Sequence, residues 1–129
     1  MAIGGARGHA NPRHALRLDW FNRDLPYGLE VYYQGPDLPR QRIPDAALFR
    51  QDTDAHGLDY QCYQGSWLRV PNFQELLPEK TGVTTNFKLG VVTRSNDVGL
   101  EFKGSVAVTK EGFYSFSTIS DDGSLQNFS

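Results

Sequence analysis

The chain predicts an all-β fold, an antiparallel and jelly-roll-like β-sandwich, and three observations carry that prediction. Apolar and polar residues alternate over short runs instead of recurring every three or four positions, which is the pattern of half-buried strands. Thirteen glycines and seven prolines punctuate those runs, as turns between short strands require. Among the aromatics, six Tyr and eight Phe outnumber two Trp, and such rings pack well on a pleated surface.

Taken in order, residues 1–14 are small, polar and Gly-rich, with no periodicity, and read as a flexible lead-in. A-L-R-L-D-W-F then sets Leu16, Leu18 and Trp20 against Arg17 and Asp19. L-E-V-Y-Y follows with Leu29, Val31 and Tyr33 on one face, so the two runs read as a hairpin with one buried side. The three prolines of P-D-L-P-R-Q-R-I-P exclude a central strand, and D-A-A-L-F-R fits one short helical turn. A polar joint at residues 51–57 separates this front section, residues 15–50, from residues 58–129.

Beyond the joint, L-D-Y-Q-C-Y reads as a strand and V-P-N-F-Q-E-L-L-P as a loop or helical turn between Pro71 and Pro78. N-F-K-L-G-V-V, V-G-L-E-F-K-G-S-V-A-V and F-Y-S-F-S-T-I supply three further strand candidates. Lys110, Glu111 and Gly112 fit a hairpin loop between the last two, with Gly112 free to take a positive φ. The core then takes Leu100, Phe102, Val106, Val108, Tyr114 and Phe116, while Glu101 and Lys103 face water.

A formal net charge of −2 and the lack of a basic patch argue against nucleic-acid binding. No run of about 18 apolar residues is available to cross a membrane as a helix, and the first residues lack an apolar signal-peptide core. Cys62 is the only cysteine, so no internal disulfide forms, and its alternation with Leu58 and Tyr60 makes it a buried thiol. His9, His14 and His56 fall in the lead-in and the joint, where a solvated imidazole is the ordinary reading. No catalytic constellation is legible: adjacent Asp121 and Asp122 do not face each other across a cleft as a glycosidase pair must.

The run Y-Q-G-S-W-L-R-V-P-N-F-Q-E-L-L-P, followed by L-E-F-K-G-S-V-A-V-T-K-E-G-F-Y-S-F-S-T-I-S-D-D-G-S, closely resembles the first half of the protective-antigen, or PA-fourteen, domain. That β-sandwich is shared by bacterial toxin protective antigens, yeast flocculins and many secreted glycosidases. H-A-L-R-L-D-W-F-N, G-L-E-V-Y-Y-Q-G-P and I-P-D-A-A-L-F resemble its closing strands, so the order is tail first and head second. A family strand of the type L-Y-I-D-G is missing after the Asp-Asp-Gly, where this chain reads L-Q-N-F-S. The expected arrangement is therefore an incomplete piece spanning the junction of two tandem domains. A permuted single sandwich is the alternative, in which the Leu16, Leu18 and Trp20 face packs against the later strands.

The resemblance implies a non-catalytic carbohydrate-binding or adhesion module of a secreted bacterial multidomain protein, extracellular or in the cell envelope. It implies that Asp121 and Asp122, joined by a cis peptide, bind Ca²⁺, which in turn coordinates sugar hydroxyls. Spacing alone reads Asp122-Gly123 as a hairpin turn with a solvated Asp121. Ca²⁺ takes six or more oxygens, and the later family loops that would complete the shell are absent. Trp67, in the polar context Q-G-S-W-L-R, either stacks on a glycan or plugs the end of the sandwich. The remaining expectations are a structural or protein-interaction module, with neighbouring domains or a second copy recruited through open sheet edges, and an accessory piece of a glycosidase.

Overall fold

A computed structural model describes residues 2–3, 13–23, 28–94, 96–108, 110, 112–120 and 123–128, with backbone alone for 2–3 and 123–128. Among the described residues ten strands run in chain order: β1 (Ala2–Ile3), β2 (Arg13–Asn22), β3 (Leu29–Gly35), β4 (Leu38–Arg42), β5 (Leu48–Phe49), β6 (Leu58–Gln64), β7 (Lys80–Thr84), β8 (Val98–Ala107), β9 (Tyr114–Ser120) and β10 (Gly123–Phe128). They form two antiparallel sheets, one ordered β1-β9-β3-β4 and the other β10-β2-β8-β6-β7, with β5 pairing β8 beyond the end of β6. The fold is all-β, a sandwich, as the alternation predicts.

The front and rear sections share both sheets. All ten residues of β2 pair with β8, from Arg13 opposite Ala107 to Asn22 opposite Val98, and β3 pairs with β9 from Leu29–Ser120 to Gln34–Ser115. Leu16, Leu18 and Trp20 belong to one core cluster with Leu58, Tyr60, Cys62, Leu100, Phe102, Val106, Tyr114 and Phe116. The described residues of the two sections thus lie in one shared sandwich. The polar joint is the tip of a tight hairpin, in which Phe49 bridges His56 and the Gly57 amide donates to the Leu48 carbonyl at 3.1 Å.

Several local expectations are corrected. β2 and β3 do not form a hairpin, because β2 lies in the larger sheet and β3 in the smaller; β8 and β9 divide the same way. In a sandwich, sequence neighbours often cross between layers, and alternation reports only which face is buried. The run N-F-K-L-G-V-V is not a strand: Leu89–Val91 makes a 3₁₀ turn and Phe87 packs edge-on against Phe102 at 5.3 Å. β7 was not legible because K-T-G-V-T has a glycine where a strand would show an apolar residue. β4 is an edge strand as its proline demands, and Asp45–Ala47 and Phe73–Glu75 are the two short turns. Gly112 does take a positive φ of 135° against Pro36.

The outer face of the larger sheet controls the surface. Phe21, Gly99 and Tyr63 lie side by side on β2, β8 and β6. The segment between β6 and β7 folds over that end: Phe73, fully buried, stacks on Tyr63 with centroids 4.7 Å apart, and Trp67 meets Phe73 edge-on at 5.7 Å. A Cβ on Gly99 would sit 2.5 Å from Phe73 Cζ, so only glycine admits this cover.

Candidate functional site

Three features share the outer face: an aromatic-capped end, a charged middle and an open polar end. At the capped end, the Asp97 amide donates to the Arg23 carbonyl at 3.2 Å, and the Gly65 amide to the Asp97 carbonyl at 2.9 Å. Arg94 donates to the same Asp97 oxygen through Nε and Nη2, at 3.0 and 2.6 Å. These bonds tie the segments before β8 and after β6 to the end of β2. Trp67 is half-buried there, against Phe73 and the backbone of Gly65 and Gly99. Gly123 pairs with Phe21, which pairs with Gly99. The start of β10 thus lies at the same end of the sheet, two strand spacings or about 10 Å from the strand that carries Gly99. Asp121 and Asp122 themselves lie outside the described residues.

In the middle, Asp19 and Glu101 oppose each other, with Gln61 completing the row. Expected at the surface, Glu101 is only 1% exposed, as is Asp19. Arg17 Nη2 lies 2.7 Å from Asp19 Oδ2, Arg17 Nε lies 3.2 Å from Glu101 Oε2, and Lys103 Nζ lies 3.4 Å from Glu101 Oε1. The Arg17 pKa is raised, chiefly by its hydrogen bond to Asp19 against the opposing effect of burial. The Tyr63 hydroxyl donates to Gln61 Oε1 at 2.6 Å. Burial first, then the negative charge of Glu101 and Asp19, pushes its pKa up to about 12. Both carboxylates are covered and engaged with cations, so the row braces the sheet and presents no open pair to a substrate.

At the far end, a cavity of about 410 Å³ opens over β2 and β8. Ala15 and Ser105 form its floor, and Arg13 and the hairpin tip at Gln51, Asp52 and Asp54 form its walls. Arg13 holds the tip: Nη1 donates to the Thr53 carbonyl at 2.8 Å, Nη2 lies 3.0 Å from Asp54 Oδ1, and the guanidinium carbon sits 3.7 Å from the Phe49 ring centroid. Nothing in the sequence signals this cavity, because its walls and floor come from residues about ninety positions apart that only the strand pairing brings together.

Cys62 is buried as expected, its Sγ 3.6 Å from Thr93 Oγ1. His14 is not in a lead-in; it sits on β2 opposite Val106, half-buried, with Nε2 lacking a hydrogen-bond partner. The His56 ring lies 4.3 Å from Phe49, with Nδ1 3.0 Å from the Leu48 carbonyl. His9 falls outside the described residues. Among the described residues, no three His, Cys, Asp or Glu side chains gather to hold a metal ion. Nor is any helix among them long and apolar enough to cross a membrane. Compared with protein-family models, curated proteins and solved structures, the chain matches none.

Proposed function

We propose that this chain is a non-catalytic carbohydrate-binding or adhesion module that presents Trp67 to a glycan from the capped end of the larger sheet. The observation that carries the reading is a half-buried indole at the same end of the larger sheet where β10, the strand that follows Asp121 and Asp122 in the chain, begins. An aromatic ring offers a flat apolar surface to the C–H face of a sugar, and nearby oxygens can hold its hydroxyls directly or through Ca²⁺. The PA-fourteen resemblance supports the same assignment, including Ca²⁺ at Asp121 and Asp122 and a secreted parent protein.

A glycan array run with Ca²⁺ and with a chelator tests this. The expected result is saturable binding to at least one glycan class, lost in Trp67→Ala; binding to no glycan in either condition overturns it. The chelator arm reads whether Asp121 and Asp122 contribute through an ion. A second reading, a protein-interaction module, is favoured by Leu68 and Leu77, which are 85% and 91% exposed on the covering segment.

A further inference from the structure

The cavity at the open end of the larger sheet lies well away from Trp67. Its floor and the Trp67 contact are separated by the stretch of β8 from Gly99 to Ser105, about 20 Å at the rise of a strand. Its volume falls within the range of small-molecule sites. The Ala15 and Ser105 floor is carried by two strands paired in register, and the tip above it is clamped by Arg13, so the cavity is preformed.

Its chemistry is mixed. Asp52, Gln51 and Ser105 line it with side chains that make no hydrogen bond or ion pair among the described residues. One guanidinium, Arg13, faces two carboxylates, Asp52 and Asp54, which leaves a single net negative charge. An anion gains nothing there. An ammonium gains little, because the Asp54 side chain is 96% exposed and exposed ion pairs are weak. Among the described residues no aromatic face lines the cavity, since Arg13 lies over Phe49, so stacking is not on offer. What remains is a set of acceptors, amide and hydroxyl groups that can both donate and accept, and the uncommitted N–H groups of Arg13. That set matches neighbouring hydroxyls, each of which donates once and accepts twice.

We propose that this cavity is a second binding site, for a neutral polyhydroxylated ligand such as the terminal ring of an uncharged saccharide, recognised by hydrogen bonds that Asp52 and Asp54 accept, Arg13 donates and Gln51 both donates and accepts. It depends on neither Trp67, Asp121, Asp122 nor Ca²⁺. With the site at the capped end occupied as well, one module would hold two saccharide segments.

The test is an amide-resolved NMR titration of the full chain with maltose, cellobiose and lactose, and with putrescine and inorganic sulfate as charged controls. At least one neutral disaccharide should shift the Asp52, Thr53 and Ser105 amides saturably. Asp52→Gly, which keeps the positive φ of 59° accessible, and independently Gln51→Ala, should weaken that binding at least tenfold. Trp67→Ala should leave it unchanged, and this separates failure of the second site from failure of the first. Shifts confined to Gly65 and Trp67, saturation by putrescine or sulfate alone, or no saturable shift with any sugar would overturn the proposal.

Discussion

Arg17 binds both members of a buried acidic pair: it donates to Asp19 through Nε and Nη2, at 3.1 and 2.7 Å, while Nε also lies 3.2 Å from Glu101. The two carboxylates oppose each other across β2 and β8, where unscreened like charges would repel. One guanidinium, with Lys103 behind it, makes that arrangement stable.

Removing the guanidinium should therefore cost far more than an exposed ion pair. Arg17→Met leaves two buried carboxylates facing each other, and loss of one partner of a buried pair costs about 3 to 5 kcal/mol. Urea denaturation at pH 7 measures it. Glu101→Gln in the Arg17→Met background should recover part of the loss, and a change below about 1 kcal/mol would mean that water already screens the pair.

Tyr63 carries a pH dependence of definite sign. Its pKa is pushed up to about 12 in the folded chain, against an ordinary value of about 10 in the unfolded one. Below the lower value both states are protonated, and the contribution to stability is fully present. As pH rises from 10 through 12, the unfolded state ionises first and stability falls, by about 2 to 3 kcal/mol across the window. Tyr63→Phe removes that slope, whatever it does to stability at neutral pH through the lost bond to Gln61. Parallel alkaline denaturation curves for the two proteins would contradict it.

Which residues face the core was legible because β2 alternates from Leu16 to Trp20 and β8 from Leu100 to Lys103, and Leu16, Leu18, Trp20, Leu100, Phe102 and Val106 are all buried. That Glu101 and Asp19 are buried too was not, since alternation separates two faces without saying which one meets water. The deciding facts are the side chains laid over that face, Arg17 and Lys103 on the carboxylates and Phe73 on Tyr63, and Phe73 sits between Pro71 and Pro78 with no period of its own. Strand partners were equally hidden. Short runs joined by turns look like hairpins in sequence, whereas the order of strands in a sheet depends on distant pairings such as Arg13 with Ala107. At the capped end Trp67 and the Asp-Asp pair stood out as residue types; the open cavity is visible only once those pairings exist.

Phe73 should prove to be the main hold on the outer face. It is fully buried, stacks on Tyr63 and supports Trp67. Phe73→Ala should cost about 3 kcal/mol or more by loss of buried area and creation of a cavity. Trp67 fluorescence should shift to longer wavelength as water reaches the indole, while buried Trp20 keeps its emission. An unchanged spectrum would mean that Gly65 and Gly99 hold the indole without Phe73.

The hairpin tip offers the sharpest test of the shared sandwich. A protease site inserted between Asp52 and Thr53 allows the chain to be cut once, in an exposed turn whose ends are already fixed by the Phe49–His56 bridge and the Gly57–Leu48 bond. The cut disturbs the Arg13 clamp at the surface. It leaves untouched the ten-residue β2–β8 ladder, the β3–β9 ladder and the common core that join residues 13–50 to residues 58–128. Chain cutting then costs the connection between the pieces, which a buried two-sheet interface of this extent should outweigh at micromolar concentration. The two fragments should co-elute on size exclusion at the volume of the intact chain, with the β-type circular dichroism retained. Separation into independently folded pieces would show that the sections are halves of different domains, and loss of structure in both would show that the interface cannot hold them without the link.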